Sequence, residues 1–425
     1  MNKKKVVACL LAATMTAGML AGCGGSSGSS DSSSSSGGKD KLTFWFPTFA
    51  SADGEVTDEE FWNEKMDAFE EENNCEVNVE IIPWDNYEEK YLTGVNSNDG
   101  PDVGYLYMEM FYDYIDMGAL ADIDEYFTDD EKANYLYYDL GNIQGGQYAL
   151  PVVVGNPRVL AANMDILKDA GIDSVPTNWD ELKAACEALK AYDDSIYPWG
   201  IDMTTDEGQA AFAYYTWNNG GGFVDDEGNW TLNSEQNVEA IQYAIDLVNS
   251  GYTNTDPAND TRYDLQDMFG AGKVAMLIAP NSLPTYIATG GNEVNYGVAS
   301  IPSNTGESVS AGVMDRFMCF DNDYSDDEKA AISTFFDYFY DDARYTEWVD
   351  MEGFLPATKS GGEALAAANE DMASWIDILD SCKFYPTAKA EWADVKQGVI
   401  NVEQNALLGG DVQELLDDLQ AEIAG

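Results

Sequence analysis

The chain has no histidine and very little positive charge. None of its 425 residues is a histidine, and 21 Lys and Arg stand against 77 Asp and Glu, which gives a formal net charge of −56. The absence of histidine excludes Ser-His-Asp and Cys-His catalysis, together with the commonest transition-metal ligand. The excess of acid makes nucleic acid and anionic membrane surfaces poor partners, and we expect neither.

Cysteine is sparse as well. Beyond the N-terminal segment the chain has Cys75, Cys186, Cys319 and Cys382, which are widely spaced and form no Cys-x-x-Cys pattern. A zinc site is therefore not expected, and nothing in the sequence indicates a metal or a cofactor. Disulfides and buried free thiols are both compatible with this spacing.

Long apolar runs are missing except at the N-terminus. A basic start at residues 3–5 precedes an apolar run over residues 6–19, which is shorter than the about 20 residues needed to span a bilayer. This pattern predicts a secretion signal peptide over residues 1–22. Residues 20–23 resemble a bacterial lipobox, which implies cleavage before Cys23 and a diacylglyceryl group on its sulfur. Ordinary signal cleavage, with Cys23 incidental, is the alternative.

The segment after Cys23 is almost pure glycine and serine over residues 24–38. Such a composition cannot bury apolar surface, so we expect a flexible tether over residues 23–39. The predicted order is therefore a removed signal peptide, a lipidated cysteine, a tether and a folded body.

The main body alternates between predicted strands and helices. Residues 41–46 and 76–82 are rich in β-branched and aromatic residues typical of strands, and the acidic pattern over residues 58–72 predicts a helix between them. Strand, helix and strand at this spacing predict a parallel sheet, with a further strand at residues 103–107. Roughly 385 residues exceed what one core usually supports, so we expect an α/β protein with two lobes.

A series of short motifs is more informative in its order than any one motif is alone. The motifs lie at residues 41–45, 100–103, 118–123, 148–151, 163–165, 176–182, 217–223, 269–276, 295–298 and 353–356. In this order they resemble the extracellular solute-binding proteins of sugar ABC importers, the group that includes maltodextrin-binding protein.

The resemblance implies a two-lobed, periplasmic-binding-protein-like α/β fold of type II, with the solute in a cleft between lobes that close by a hinge motion. The implied lobes are residues 40–153 with 302–372 and residues 154–301 with 373–425. The implied crossings between them lie near Val154, Ile301 and Met372.

The same resemblance implies a function. The protein would capture a mono- or oligosaccharide outside the cell and deliver it to the transmembrane subunits of an ABC importer, with no catalysis of its own. It would act as a monomer held at the outer face of the membrane by the lipid on Cys23.

Candidate binding residues lie mostly where predicted strands end, because open α/β sheets bind ligands at the carboxyl ends of their strands. A sugar needs aromatic faces for its C–H surface and carboxylates, amides or arginines for its hydroxyls. The candidates are Trp45, Phe46, Tyr107, Glu109, Asn156, Arg158, Tyr214, Trp217, Asn281, Asp315, Arg316 and Trp392. None of them is given a catalytic or metal-binding role.

For some candidates the resemblance implies a role. Glu109 falls where the family often has a sugar-binding acid. Tyr214 and Trp217 fall where the family stacks aromatic rings on its ligand, and Trp392 matches another stacking position. Asn281 stands where many members have a tryptophan, so that stacking ring is absent here.

Each assignment has a plain alternative. Any of the aromatic candidates can instead be a core residue, and Arg158 and Arg316 can pair with a local acid such as Asp315 rather than with a solute. At the level of function, one alternative is a surface-anchored glycoside hydrolase that uses a pair of carboxylates. The other is the same fold binding a cation, a polyamine or a peptide.

Overall fold

The computed structural model describes most of the folded body of the chain. It covers residues 40–424 except for 50–55, 74, 108–109, 156, 206, 322–323, 370–372 and 380. The predicted signal peptide, Cys23, the tether, Glu109 and Asn156 lie outside the described residues.

The strands and helices alternate along the chain. In chain order the strands are β1 (Asp40–Pro47), β2 (Cys75–Ile82), β3 (Val103–Leu106), β4 (Asn142–Ile143), β5 (Gly146–Gln147), β6 (Leu150–Gly155), β7 (Val159–Asn163), β8 (Tyr197–Gly200), β9 (Val274–Ala279), β10 (Tyr296–Ala299), β11 (Ser310–Ala311), β12 (Val313–Cys319) and β13 (Cys382–Lys383). The helices are α1 (Asp58–Glu72), α2 (Tyr87–Ser97), α3 (Phe111–Asp116), α4 (Asp129–Asn134), α5 (Met164–Asp169), α6 (Trp179–Tyr192), α7 (Gly208–Trp217), α8 (Glu235–Asn249), α9 (Arg262–Gly270), α10 (Leu283–Thr289), α11 (Asp326–Phe339), α12 (Asp342–Glu352), α13 (Lys359–Ala368), α14 (Ala373–Leu379), α15 (Trp392–Leu407) and α16 (Val412–Ala424).

The first sheet has the strand order β2-β1-β3-β12-β6. Strand β1 runs parallel to β2 and β3, whereas β12 runs antiparallel to β3 and β6. The predicted parallel unit of strand, helix and strand is confirmed. Helix α1 begins where the sequence predicts because the Thr57 side chain and Glu60 form a reciprocal capping box.

Side chains of β1 alternate between two cores. Leu42, Phe44 and Phe46 point into a core with α1 and α11, whereas Trp45 points to the other face and packs against Tyr91 of α2. Both faces of the sheet are thus covered, as expected of an α/β layer arrangement.

The second sheet has the order β10-β7-β9-β8. Its larger core joins residues of β7, β8 and β9 to helices α6, α7, α8, α15 and α16. A smaller core on the opposite face includes Leu265 and Phe269 of α9 and Leu283 of α10. Each sheet therefore has its own cores, and the molecule is a two-lobed α/β protein.

Three chain segments connect the lobes, and they lie side by side. The first passes from β6 to β7, the second contains β11, and the third contains β13, which pairs in parallel with β11. The backbone N–H of Arg158 donates to the Ala311 carbonyl at 3.2 Å, and that of Gly312 donates to the Lys383 carbonyl at 3.0 Å. Short adjacent segments of this kind can absorb a hinge rotation without repacking either core.

We propose that the third crossing lies after α14. The predicted position, Met372, is outside the described residues, but Leu379 of α14 still packs with Val154 of the first sheet. The next core residue of the second lobe is Trp392 at the start of α15. The crossing therefore falls between Leu379 and Trp392, because the apolar side of α14 is buried against the first lobe.

The four cysteines of the folded body are buried free thiols. Burial raises the pKa of the Cys186 thiol to about 12, so it stays protonated at neutral pH. Among the described helices, none combines the length and the apolar character that crossing a membrane requires.

Candidate functional site

A cavity of about 570 Å³ opens between the two lobes beside the crossings. Its volume lies within the range of small-molecule sites and suits a saccharide of one to a few rings. Both lobes and the third crossing line it. The lining includes Tyr137, Leu140, Ile143 and Arg316 from the first lobe, Trp217, Phe223 and Asp225 from the second, and Lys383, Tyr385 and Pro386 from the third crossing.

A stack of three aromatic rings forms one side of this cavity. The ring of Tyr385 lies between those of Trp217, at 5.9 Å and 28°, and Trp392, at 5.3 Å and 19°. Phe223 meets all three rings edge-on. Trp217 and Tyr385 line the cavity, whereas Trp392 supports Tyr385 from behind. The stack joins α7, the third crossing and α15 into one apolar platform.

The loop after Trp217 folds closely around its indole. Gly222 has a φ of +145°, and a Cβ atom added there would lie 2.9 Å from the Trp217 ring. A Cβ atom at Gly221 would lie 2.1 Å from the Asn237 amide oxygen. Only glycine fits these two positions, which explains why a glycine run follows the tryptophan.

Arg316 contributes to the same cavity from the first lobe. Its side chain is only 4% exposed, and its guanidinium lies 4.8 Å from the centre of the Phe111 ring. Its Nε and Nη1 atoms have no hydrogen-bond partner among the described residues. Burial lowers the pKa of Arg316 to about 10, which still leaves it charged at neutral pH, and the nearby charge of Asp315 partly opposes this shift.

Asp315 contacts a different residue from Arg316. Its carboxylate accepts a hydrogen bond of 2.6 Å from the Tyr105 hydroxyl. A bulge between the two residues interrupts the pairing of β12 with β6. The two side chains are thereby presented to different surroundings.

A second, open cavity of about 510 Å³ lies at the carboxyl ends of β2 and β3. Trp84, directly after β2, is 42% exposed, and its ring lies 6.0 Å from that of Tyr107. The Tyr107 hydroxyl donates to Glu88. Phe49, just past β1, packs on Trp84 at 5.8 Å. Tyr107 therefore lies beside aromatic rings and carboxylates at the carboxyl end of its strand, where open α/β sheets bind ligands. Trp84 lies beside it, although the sequence analysis did not include Trp84 among the candidates.

Two of the candidates after β1 lie inside the first lobe. Phe46 is fully buried and contacts the rings of Phe44, Trp62 and Trp348. Trp45 is 4% exposed, between Tyr91 and the Lys90 ammonium group. Neither ring lines the cavity between the lobes, so we leave both out of the proposed site.

Arg158 and Tyr214 contact each other within the second lobe. The Arg158 Nε donates to the Tyr214 hydroxyl at 2.9 Å, linking the first crossing to α7. Burial raises the pKa of Tyr214, whereas Arg158 opposes that shift. Tyr214 also lines an internal cavity of about 30 Å³, which holds one or two waters at most and excludes a sugar. These two residues position the hinge rather than line the large cavity.

Asn281 connects the two lobes. It follows β9 in the second lobe, and its Nδ2 donates at 3.2 Å to the carbonyl of Gly353, which follows α12 in the first lobe. The position lies at the cleft, and its amide bridges the lobes where the resembled family often has a stacking tryptophan.

Two lobes with separate cores, adjacent crossings and an aromatic cavity between the lobes define a class of protein: a receptor that holds a small solute between its halves. The chain belongs to the family of bacterial extracellular solute-binding proteins, whose family model matches residues 53–343. The role of this family is binding and not catalysis, so the glycoside hydrolase alternative is not retained.

Relatives identified by sequence agree with this class. A binding protein of Brucella abortus (strain 2308) is 28% identical over 368 residues, which cover 85% of this chain and 88% of the relative. The arabinooligosaccharide-binding protein of Bacillus subtilis (strain 168) is 26% identical over 286 residues, covering 65% of this chain and 63% of the relative.

Solved structures share the fold. The cyclic α-maltosyl-1,6-maltose binding protein of Arthrobacter globiformis superimposes with a TM-score of 0.77 at 22% identity, covering 90% of this chain and 98% of that one. The sugar-binding protein MalE of Xanthomonas citri gives a TM-score of 0.74 at 19% identity, covering 90% and 97%. The predicted two-lobed, periplasmic-binding-protein-like fold is confirmed.

Proposed function

We propose that this protein binds a carbohydrate in the cleft between its lobes and delivers it to an ABC importer. The observation that carries the proposal is the stack of Trp217, Tyr385 and Trp392 beside a cavity of about 570 Å³. Aromatic faces pack on the C–H surface of sugar rings, and saccharides are what several relatives and structural neighbours are named for binding.

The proposed site combines residues of both lobes. Trp217, Tyr385 and Arg316 line the cavity between the lobes, and Trp84 and Tyr107 line the second cavity at the carboxyl ends of β2 and β3, which we include in the site. The lobes are proposed to be residues 40–153 with 302–379 and residues 154–301 with 392–424, separated by the crossings. Glu109 and Asn156 remain proposed contacts on the strength of the sequence alone.

The location of the protein is part of the proposal. We take the signal peptide, the lipobox-like residues 20–23 and the glycine-serine segment to place a monomer outside the cell, anchored by a lipid on Cys23. Cys23→Ala should abolish incorporation of labelled fatty acid and release the protein into the medium. Retention of Cys23→Ala on the membrane would contradict the anchor and leave the binding proposal intact.

A ligand screen tests the binding function. The purified protein is heated with mono- and oligosaccharides and, in parallel, with polyamines, cations and short peptides. A bound solute raises the unfolding temperature by mass action. We expect saccharides to give the largest shift and to be recovered unchanged after incubation. A larger shift with a polyamine or a peptide would favour the non-sugar alternative.

A matched pair of tryptophan variants tests the platform. Trp217→Ala removes a ring that lines the cavity, and we expect the Kd for the best saccharide to rise about tenfold or more. Trp179→Ala removes a ring of similar burial that stacks on Tyr243 at 4.2 Å, away from the cavity. Calorimetric titration should show unchanged affinity for Trp179→Ala. Equal affinity of both variants and the parent would remove Trp217 from the site.

A further inference from the structure

Arg316 is a buried cation, and no ion pair to it is present among the described residues. Its side chain is 4% exposed, and both its Nε and its Nη1 are buried without a hydrogen-bond partner among the described residues. A buried charge that is neither paired nor hydrogen-bonded costs several kcal/mol of stability, so such groups are usually satisfied by a partner or a ligand. Arg316 also lines the cavity between the lobes.

An aromatic ring supports the guanidinium of Arg316. The Phe111 ring lies 4.8 Å from the guanidinium carbon and provides a flat support. Asp315, the neighbouring acid, accepts a hydrogen bond from Tyr105 instead. A planar group fixed in this way is suited to a planar, bidentate anion.

The described acids that line the cavity are exposed. Asp139, Asp225 and Asp226 line the cavity, and all three are exposed to solvent. The Asp225 carboxylate is already occupied, since it accepts from the backbone N–H groups of Glu227 and Asn229. Among the described charged residues that line the cavity, Arg316 is buried and the acids are exposed, which disfavours ligands of high negative charge.

We infer that Arg316 binds the carboxylate of an acidic sugar, so that the cleft selects saccharides carrying a uronic acid over their neutral counterparts. The inference rests on the proposed sugar-binding function and refines it. A carboxylate carries a single charge and matches the guanidinium fork, whereas a dianionic phosphate would meet repulsion from the exposed acids.

Matched ligands test the inference on the unaltered full-length protein. The probes are D-galacturonate with D-galactose, galacturonosyl-galactose with galactobiose, and the methyl ester of galacturonosyl-galactose, which keeps the shape and removes the single charge. A charge-assisted, bidentate contact predicts that galacturonosyl-galactose binds about tenfold or more tighter than galactobiose and than its own ester. Tighter binding of sn-glycerol 3-phosphate than of either uronate would overturn the assignment to a carboxylate.

A pair of arginine variants locates the effect. Arg316→Gln should reduce the ratio of the galactobiose Kd to the galacturonosyl-galactose Kd to about one, and Arg316→Lys should leave an intermediate ratio, since it keeps the charge without the fork. Arg344→Gln is the control, because Arg344 also lies over a ring, that of Tyr338 at 3.8 Å, but on the first lobe away from the cavity. It should keep the parental ratio.

The outcomes separate the two proposals. If neutral saccharides bind as tightly as uronates, or if Arg316→Gln keeps the preference, the inference fails while sugar binding stands. If no saccharide of either kind binds, both fail. The ester comparison uses the parent protein, so the inference stays testable even if the Arg316 variants do not fold.

Discussion

At the scale of single residues, Asp58 and Glu352 form a carboxyl pair inside the first lobe. Their side chains hydrogen-bond to each other, and Asp58 Oδ2 also accepts the Phe49 backbone N–H at 2.8 Å. Burial is the main cause that raises the pKa of Glu352 to about 8, and the charge of Asp58 is the second cause. Burial also raises the pKa of Asp58. The two groups therefore share a proton at neutral pH.

This pair predicts a pH-dependent stability. Because the pKa of Glu352 moves from 4.5 to about 8 on folding, the folded state binds the extra proton in that window, and the stabilisation is lost as the pH rises through it. Glu352→Gln keeps a hydrogen bond and cannot ionise. We expect it to match the parent at about pH 5 and to be more stable by about 1 kcal/mol at about pH 8.5 in urea unfolding.

A second variant of the same helix serves as the control. Glu347 lies on α12 with Glu352, but it is exposed and pairs with Lys65 at 2.8 Å. Glu347→Gln should change the free energy of unfolding by less than about 0.5 kcal/mol at either pH. A difference between Glu352→Gln and the parent that does not vary with pH would contradict the shared proton.

At the scale of elements, one buried amide of α8 holds the loop that shapes the cavity. Asn237 is fully buried, and its Nδ2 donates to the carbonyls of Gly222, Thr231 and Leu232 while its Oδ1 accepts the Gly222 N–H at 2.8 Å. This loop carries Phe223, which supports the ring stack. Local hydrogen bonding thus connects a helix to the position of the proposed binding surface.

Removing this amide should affect both stability and binding. Asn237→Ala leaves buried donors and acceptors without partners, so we expect a loss of about 3 kcal/mol in unfolding free energy and weaker saccharide binding. The comparison variant is Asn233→Ala, whose parent amide donates to Asp417 near the surface. It should cost less than about 1 kcal/mol. Parental stability of Asn237→Ala would show that the loop is held by other contacts.

At the scale of the whole molecule, the crossings and the cleft-side contact decide how the lobes move. The backbone bonds among the three crossings keep them together on one side. On the cleft side, the lobes meet through the hydrogen bond from Asn281 to the Gly353 carbonyl. Opening the cleft breaks that bond and preserves the crossings, so the bond favours the closed arrangement.

Loss of this contact should speed ligand release. A single hydrogen bond of this kind is worth about 0.5–1 kcal/mol, so Asn281→Ala should raise the dissociation rate of a bound saccharide about threefold. Asn295→Ala removes a comparable amide that donates to Asp165 within the second lobe, and its kinetics should match the parent. Stopped-flow fluorescence measures both rates, and an unchanged rate for Asn281→Ala would argue against a role in closure.

Much of the fold could be predicted because its signals are local. Capping at Thr57 and the alternation of Leu42, Phe44 and Phe46 depend on neighbours a few residues away, and both elements lie where the sequence predicts them. The position of the third crossing stays a prediction, because it depends on Leu379 packing against a strand far away in the chain. No local pattern reports such a contact.

The candidate site was predictable only in part. Trp84 was missed although the carboxyl-end rule points to it, since it follows β2 directly. Tyr385 carried no such signal, because it becomes a platform only between Trp217 and Trp392. Trp45 could not be assigned to the cleft or to the core from alternation, because both faces of its sheet are covered.

Composition and the order of motifs were sufficient to predict the class of protein. The absence of histidine excludes histidine-dependent catalysis, and the order of motifs can be read along the chain without knowing how the chain packs. The arrangement of the cavity required the folded molecule. The ring stack and the buried guanidinium of Arg316 arise where segments far apart in the chain pack together. Burial depends on that packing and cannot be read from any single segment.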